Sequence, residues 1–224
     1  MNFLLPYWSA LLLGSAHALE ADHMAAVTSF AVRRPTAREA VRFGIQWAVG
    51  HGAVVIAAGA ALLLIGIVIP DPATHWLEKI VGVVLIALGA STFVHARRLH
   101  VHAHGGGHAH LHSHALPEGT EHTHEFPRQN RWAGAPTAIG ALHGLAGAAP
   151  AVALLQVAAM ESIAGGMLYL MAFAIGTAVG MAAYAAVTGF VAGRAAIASE
   201  KAARIIGKIS GIATIAIGIF WIVR

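Results

Sequence analysis

The stretch Gly14–His23, GSAHALEADH, places two imidazoles and two carboxylates inside an otherwise apolar run. No Lys or Arg occurs before Arg33, so the run predicts a membrane-spanning segment. An ionisable side chain in hydrocarbon costs about 2.5 kcal/mol or more, so four together predict a functional site at that depth. They are His17, Glu20, Asp22 and His23. The alternative is a helix that ends near Glu20 and leaves the last two residues at the membrane interface.

The composition predicts a polytopic membrane protein with a single transmembrane domain. Of 224 residues, 58% are hydrophobic and 11% charged, and several apolar runs reach the roughly 20 residues that span a bilayer. The sequence pI of about 10 does not indicate nucleic acid binding, because the basic residues lie between the apolar runs. Cysteine is absent, which excludes thiolate metal sites and disulfides and leaves His, Asp, Glu and Met as ligands. No positive charge precedes the first apolar run, so we expect no cleaved signal peptide.

The apolar runs predict six helical spans. These are Phe3–Ala31, Val41–Ile69, Leu77–His95, Gly134–Met160, Ile163–Ala192 and Ala202–Val223. The first is longer than a hydrocarbon core of ~30 Å, so it must tilt or break. On an unbroken helix His17 and Asp22 lie on opposite faces. If both serve one site, we expect the helix to unwind near Ala18–Ala21, as substrate-binding helices of transporters do.

The basic residues predict the orientation. Of the fourteen Lys and Arg residues, all but Lys79 and Arg224 follow spans one and three or lie around the link between spans five and six. By the positive-inside rule, the three long links are cytoplasmic and both termini face outward.

The two halves of the chain resemble each other. Lys79–Gly89 and Lys208–Gly218 agree at six of eleven positions, and Gly14–Leu19 and Gly140–Leu145 agree at three of six, including the histidine. Three spans per half would give the halves opposite orientations, which predicts two inverted three-helix repeats, residues 1–95 and 133–224. The alternative is that repetition of Gly and Ala alone produces the matches.

Four histidines lie within the predicted spans. Three of them, His17, His51 and His143, reach a similar depth by the helical rise per residue. A lone histidine in a helix bundle is more often an interhelical hydrogen-bond partner than a ligand. Three at one depth, beside Asp22 and Glu20, indicate a metal or proton site. Imidazole with carboxylate and no thiolate suits Ni, Co, Zn or Cu(II).

A histidine-rich segment of low complexity separates spans three and four, within the link of residues 96–132. It is polar, and we expect that it does not fold by itself. Tracts of this composition bind borderline divalent ions, which predicts an auxiliary metal-binding loop on the cytoplasmic side. The alternative is a pH-sensitive solubilising loop. The candidate ligands are His100, His102, His104, His108, His110, His112, His114, His122 and His124.

HALEADH, in which His17 is followed by four residues and then Asp22 and His23, resembles the signature of the nickel/cobalt transporter family. WAVGHGAVV, residues 47–55, is similar to that family's second motif, a Gly-His followed by small and β-branched residues. The resemblance covers the first two spans and implies metal recognition by these three residues and His51. The later acidic motifs of the larger uptake permeases are absent. The short six-span plan and the His-rich loop look more like the efflux branch and related urease-accessory membrane proteins.

These features favour a secondary transporter of divalent transition-metal ions, nickel or cobalt and also zinc, which are carried as substrate and not held permanently. No G-x-x-x-x-G-K-[ST] motif is present, so an ion gradient or a partner would supply the energy. One alternative is a membrane accessory protein that delivers metal to urease or hydrogenase maturation. Another is an intramembrane zinc hydrolase, but no H-E-x-x-H occurs and we expect no enzyme activity. A haem-binding bundle with paired axial histidines is the last alternative.

The outward links, around residues 70–75 and 160–162, are short, which disfavours a receptor or a surface enzyme. We expect a multi-pass protein of the bacterial cytoplasmic membrane. Its expected partners are the divalent ion, the lipid bilayer and a cytoplasmic metal chaperone, without nucleic acid.

Gly106→Cys and Ser162→Cys variants should react with a membrane-impermeant thiol reagent from opposite sides of the membrane, because the basic links stay in the cytoplasm. The chain has no native cysteine, so labelling reports the introduced thiol alone. Labelling of the Gly106→Cys variant from outside intact cells would contradict the predicted orientation.

Overall fold

The structure is a computed structural model that describes residues 4–66, 71–97, 99–103, 109–113, 134–144, 146 and 148–224. Within these residues the chain forms eight helices and one two-stranded ribbon. The helices are α1 Leu5–His17, α2 Ala21–Arg33, α3 Ala37–Ile65, α4 Asp71–Arg97, α5 Ala135–Gly144, α6 Ala148–Ala158, α7 Ile163–Ala198 and α8 Glu200–Val223. The strands are β1 Leu99–Ala103 and β2 Ala109–Ser113.

Among the described residues, four helices are long and apolar enough to cross a membrane, which confirms a helical membrane protein. They are α3, α4, α7 and α8, and they correspond to predicted spans two, three, five and six. Predicted spans one and four are each two shorter helices. α1 and α2 have 13 residues each, about 20 Å, so neither alone crosses a core of ~30 Å. By helix length alone, four spans are shown. A total of six spans requires that α1 and α2 together cross the membrane, and likewise α5 and α6.

The first break lies where the polar residues predict it. α1 ends at His17 and α2 begins at Ala21, so the expected unwinding is confirmed. The N–H groups of Leu19 and Glu20 donate to carbonyls three residues back, both at 3.0 Å, which tightens the last turn of α1. Glu20 is extended, with φ −68° and ψ 152°. Side chains before and after the break are therefore no longer related by the 100° steps of one helix.

The second break separates α5 from α6. Pro150 falls in the first turn of α6. N–H groups in a first turn have no intrahelical acceptor, so proline costs no helix hydrogen bond there. Proline thus marks the start of the second short helix in this half of the chain.

Glycines bring α1 against α7 and α5 against α3. At four positions a Cβ atom would overlap a backbone carbonyl oxygen of the facing helix. The contacts join Gly14 to Phe173, Gly176 to Leu11, Gly140 to Trp47 and Gly50 to Thr137. Small residues let membrane helices approach this closely, so these glycines fix the spacing of the four helices.

α4 and α8 pack along a second glycine seam. A Cβ on Gly82 would lie 2.7 Å from the carbonyl oxygen of Gly218, and one on Gly218 would lie 2.6 Å from that of Gly82. Gly89 and Gly211 face each other in the same reciprocal way, at 2.7 and 2.8 Å. The two helices therefore touch backbone to backbone at two levels.

α2 lies inside the bundle, in contact with α3, α4, α7 and α8. The Ser29 hydroxyl is 2.8 Å from the Thr214 hydroxyl of α8. The Thr92 hydroxyl of α4 lies 3.4 Å from the Ser29 carbonyl oxygen and 2.9 Å from the Leu88 carbonyl oxygen of its own helix. Interhelical hydroxyl bonds of this kind contribute about 0.6–2 kcal/mol each in membranes. They hold α2, and with it the residues that begin α2, in a fixed place.

The histidine-rich link contains an antiparallel ribbon, in which β1 and β2 pair His100 with His112 and His102 with His110. These strands were not predicted, although HVHA and HLHS alternate with the period of a strand. The ribbon contacts α7 and α8, so the expectation that the segment does not fold by itself stays a prediction. The remaining predicted ligands lie outside the described residues: His104, His108, His114, His122 and His124.

Gly140→Ala should destabilise the protein by about 1–3 kcal/mol or more, because the new methyl group meets the Trp47 backbone, which cannot move without α3. Gly134→Ala is the control, since no atom of a described residue lies within 4 Å of a Cβ there. Thermal unfolding of the purified proteins in one detergent measures the difference. Equal midpoints for the two variants would contradict the close α3–α5 packing.

Candidate metal site

The break between α1 and α2 brings the first three site residues together. His17 is the last residue of α1, and Asp22 and His23 lie in the first turn of α2. All three are at least 95% buried. A carboxylate in the first turn also interacts favourably with the partial positive charge of a helix N-terminus, which suits Asp22.

His51 reaches the site from the middle of α3, between two glycines. A Cβ on Gly50 would overlap the α5 backbone at Thr137, and one on Gly52 would lie 3.0 Å from Ala174 of α7. The two glycines therefore let α5 and α7 close on α3 at the level of this histidine.

Three imidazoles form the centre of the site. One ring nitrogen from each of His17, His23 and His51 lies within 4.8 Å of the other two. Ring centroids are 4.5 Å apart for His17 and His23, 5.0 Å for His17 and His51, and 5.5 Å for His23 and His51. Their exposed fractions are 2%, 1% and 0% in chain order. Three helices thus deliver one histidine each to a single buried cluster.

Hydrogen bonding leaves each imidazole with a free nitrogen. Nδ1 of His23 donates to Oδ1 of Asp22 at 2.8 Å. Nδ1 of His17 lies 3.0 Å from Oε1 of Glu20, although it is not aligned for a hydrogen bond. Nε2 of both rings and both nitrogens of His51 have no partner among the described residues. Such orphaned buried atoms are rare, and a carboxylate behind a ligating histidine is the usual support of a metal site.

This donor set suits a divalent ion of borderline softness. Neutral imidazole binds Zn, Ni, Co and Cu(II), and a Zn–N bond is about 2.0–2.1 Å long. Nitrogens bound tetrahedrally to one ion at this length are about 3.4 Å apart. The three nitrogens, which lie within 4.8 Å of one another, must therefore move closer together to bind one ion.

His143 of α5 borders the cluster on the Asp22 side. Its Nε2 lies 4.0 Å from Oδ2 of Asp22, and its ring centroid is 5.6 Å from that of His23. Its Nδ1 donates to the carbonyl of Ile139 at 2.9 Å, which leaves the lone pair on Nε2. The second half of the chain therefore contributes a fourth imidazole, held next to the buried carboxylate.

Glu20 occupies the open side of the site. Its side chain is 41% exposed, against 6% for Asp22. Carboxylate oxygens of these two residues and a ring nitrogen of His23 also lie within 4.8 Å of one another. A second, oxygen-rich group of ligands thus overlaps the imidazole cluster at His23.

Two aromatic walls were missed by reasoning from the sequence. The Trp47 ring stacks on His51 at 5.0 Å and 14°, and Phe173 stacks on His17 at 5.6 Å. The Nε1 atom of Trp47 is buried and has no hydrogen-bond partner in the described part of the chain. Trp47 precedes His51 by four residues, which places both on one helix face and could have identified it. The rings line the site with apolar surface, and in such surroundings charge interactions are strong.

The structure brings together all six predicted intramembrane ligands, and their metal-binding role stays a prediction. They are His17, Glu20, Asp22, His23, His51 and His143. Thr177, which follows Gly176 as His51 follows Gly50, is buried and donates to the Phe173 carbonyl at 3.0 Å. Its hydroxyl therefore bonds within its own helix. Four of the predicted loop ligands lie in the ribbon and do not belong to this cluster: His100 and His102 in β1, and His110 and His112 in β2.

Comparison with known proteins gives one family and three relatives. Residues 8–220 match the family described as "Cytochrome C biogenesis protein transmembrane region". The chain is 29% identical over 181 residues to the urease accessory protein UreH of Bacillus sp. (strain TB-90). The matched region covers 79% of this chain and 73% of that protein. It is 27% identical to the chloroplast proteins FOR GROWTH AND FERTILITY 1 and 2 of Arabidopsis thaliana, over 95% and 91% of this chain. The chain spans 56% and 51% of the length of these two plant relatives. No solved structure matches.

The likeness to UreH supports the urease-accessory branch of the resemblance drawn from the motifs. Membership of the nickel/cobalt transporter family, and the reading of HALEADH as its signature, stay predictions.

His51→Ala should weaken Ni²⁺ binding at least about 100-fold, because one of three ligands is lost, and Asp22→Asn should weaken it about 10–100-fold through the loss of support to His23. Isothermal titration on chains whose residues 100–124 are replaced by a Gly/Ser linker of equal length isolates the intramembrane site. Thr177→Ala is the matched control and should bind like the parent chain. Parent-like binding by both His17→Ala and Asp22→Asn would show that the cluster is structural.

Proposed function

We propose that this chain, which belongs to the Cytochrome C biogenesis protein transmembrane region family, is a multi-pass membrane protein that moves a divalent transition metal for metalloenzyme maturation. Nickel is the proposed substrate, with cobalt and zinc next by ligand chemistry. The likeness to a urease accessory protein supports this class of function. The chain has no cysteine, so neither a thiol redox relay nor thioether attachment of haem runs through its own residues.

The buried imidazole cluster carries the proposal. Three histidines meet with unpartnered ring nitrogens, and Asp22 supplies negative charge beside them. In histidines with a purely structural role, those nitrogens would form interhelical hydrogen bonds. A bound divalent ion would give one nitrogen of each of the three imidazoles a partner.

We further propose that the metal crosses between two inverted three-helix repeats, residues 1–95 and 133–224, of one transmembrane domain. The glycine contacts support this arrangement. Gly140 follows Gly14 by 126 positions, Phe173 follows Trp47 by 126 positions, and each glycine packs on the carbonyl of the aromatic residue in the other half. Each proposed repeat also begins with a broken helix. Broken helices that face each other between inverted repeats are typical substrate sites of secondary transporters.

The proposed location is the bacterial cytoplasmic membrane, with the histidine-rich link in the cytoplasm. Pairing of His100 with His112 and of His102 with His110 supports an auxiliary metal-binding loop in that link. This loop would exchange the ion with a cytoplasmic metal chaperone. No enzyme activity and no nucleic acid partner are part of the proposal.

A second candidate is a membrane protein that stores and delivers metal without moving it across the bilayer. The name of the relative UreH, a urease accessory protein, favours it. Both candidates need the buried site, and they differ only in whether the ion leaves on the opposite side.

Proteoliposomes that contain the chain should accumulate radioactive Ni²⁺ with saturable kinetics. Co²⁺ and Zn²⁺ should compete well and Mn²⁺ weakly, because imidazole sites bind manganese least in this series. His51→Ala and Asp22→Asn should abolish saturable flux, and Thr177→Ala should retain most of it. Nickel binding without flux would favour the delivery protein, and the absence of both would overturn the metal function.

A further inference from the structure

A groove of about 380 Å³ opens beside the metal site, between the start of α2 and the last turns of α8. Glu20 and Asp22 form its polar wall, and the α8 residues Ala216, Ile217 and Phe220 form its apolar wall. Glu20 lies about 20 Å along the helix axis from the start of α1, which is inside a hydrocarbon core of ~30 Å when α1 begins at its edge. Carboxylates at such a depth face the protein interior or a water-filled cavity, and we expect water in this groove because Glu20 and Asp22 line it.

A second groove, of about 430 Å³, lies at the end of α8. Its charged and titratable lining residues are His75, Glu78 and Lys79 of α4 and Arg224 of α8. Trp221 lines both grooves. Its side chain is buried, and the Arg224 guanidinium lies 5.8 Å from the centre of its ring. One indole therefore separates an outer groove from the inner groove that ends at the site.

We propose that these grooves form the access path by which a divalent cation reaches the histidine cluster from the side of the membrane on which α8 ends, with Glu20 as its first ligand and Trp221 as the barrier. The inference rests on the proposed function, because it needs a metal ion at the cluster. By the distribution of basic residues this side is the outer one.

The charges on the inner groove agree with a cation as its occupant. Among the residues that the structure describes, the charged ones that line it are Glu20 and Asp22, both acidic. The indole face that separates the grooves attracts cations, and Arg224 occupies it in this structure. Arg224 and Trp221 must therefore move together before a metal ion can pass.

The oxygen-rich ligand group and the imidazole cluster overlap at His23, so an entering ion would bind first to the carboxylates and then to the imidazoles. An ion held by oxygens of Glu20 and Asp22 can keep much of its water, since oxygen ligands resemble its hydration shell. His23 belongs to this group and to the imidazole cluster. The ion can therefore exchange oxygen for nitrogen ligands one at a time, which avoids complete dehydration in a single step.

Cysteine accessibility in the reconstituted full-length chain tests the path, because no native thiol competes. Ala216→Cys should react with a charged methanethiosulfonate added on the α8 C-terminal side, and Ni²⁺ should slow the reaction. Ile219→Cys is the control, since Ile219 is 49% exposed on the same turn but lines neither groove. It should react about tenfold more slowly or less, because a thiol in hydrocarbon stays protonated.

Two further substitutions test the assigned roles. In the Ala216→Cys background, Trp221→Ala should speed labelling severalfold, and Trp221→Phe, which keeps an aromatic ring, should change it little. Glu20→Gln should raise the Ni²⁺ concentration for half-maximal flux about tenfold, and Glu20→Asp should restore most of the loss. If Trp221→Ala does not fold, the Ile219→Cys comparison and the Glu20 pair decide the matter.

Equal labelling of the Ala216→Cys and Ile219→Cys variants, labelling only from the opposite side, or no slowing by Ni²⁺ would overturn the path. Titration of wild-type chain with Ni²⁺ is run in parallel. Intact binding with a failed path refutes this inference alone, whereas absent binding refutes the proposed function.

Discussion

Ionisable side chains in hydrocarbon must find partners inside the protein, and the centre of this molecule is built to meet that constraint. The bond of 2.8 Å between Asp22 and His23 joins a carboxylate to an imidazole at the start of α2. The interruption at Glu20 lets His17 lie beside that pair. A straight helix would keep the three side chains apart, so the broken helix is a condition for the cluster and not an irregularity next to it.

Close packing of α3, α5 and α7 encloses the ionisable side chains and so helps to meet the same constraint. Glycines flank His51 and carry α5 and α7 up to α3, so that Trp47 and Phe173 cover the imidazoles. Larger residues at these glycines would hold the helices apart and admit lipid or water. The site therefore depends on residues that carry no functional group.

The family relationship identifies the transmembrane scaffold, whereas the side chains at its centre determine the chemistry. The match over residues 8–220 places the chain in a transmembrane family whose description concerns cytochrome c biogenesis, while its own residues include no thiol. The buried site offers nitrogen and oxygen donors, which suit borderline divalent ions. One transmembrane scaffold can thus hold different chemistry, because function depends on the side chains that face its centre.

The sequence by itself determined the helical membrane class, the break near Ala18–Ala21 and the six polar residues that converge, because charge in an apolar run is expensive and hydropathy is a local property. It did not determine the break in span four, the ribbon in the histidine-rich link, or the covering of the imidazoles by Trp47 and Phe173. Only the tertiary structure decided which three nitrogens share a 4.8 Å cluster and which carboxylate stays at its open side. Those distances follow from contacts between helices far apart in the chain, and no local pattern encodes them.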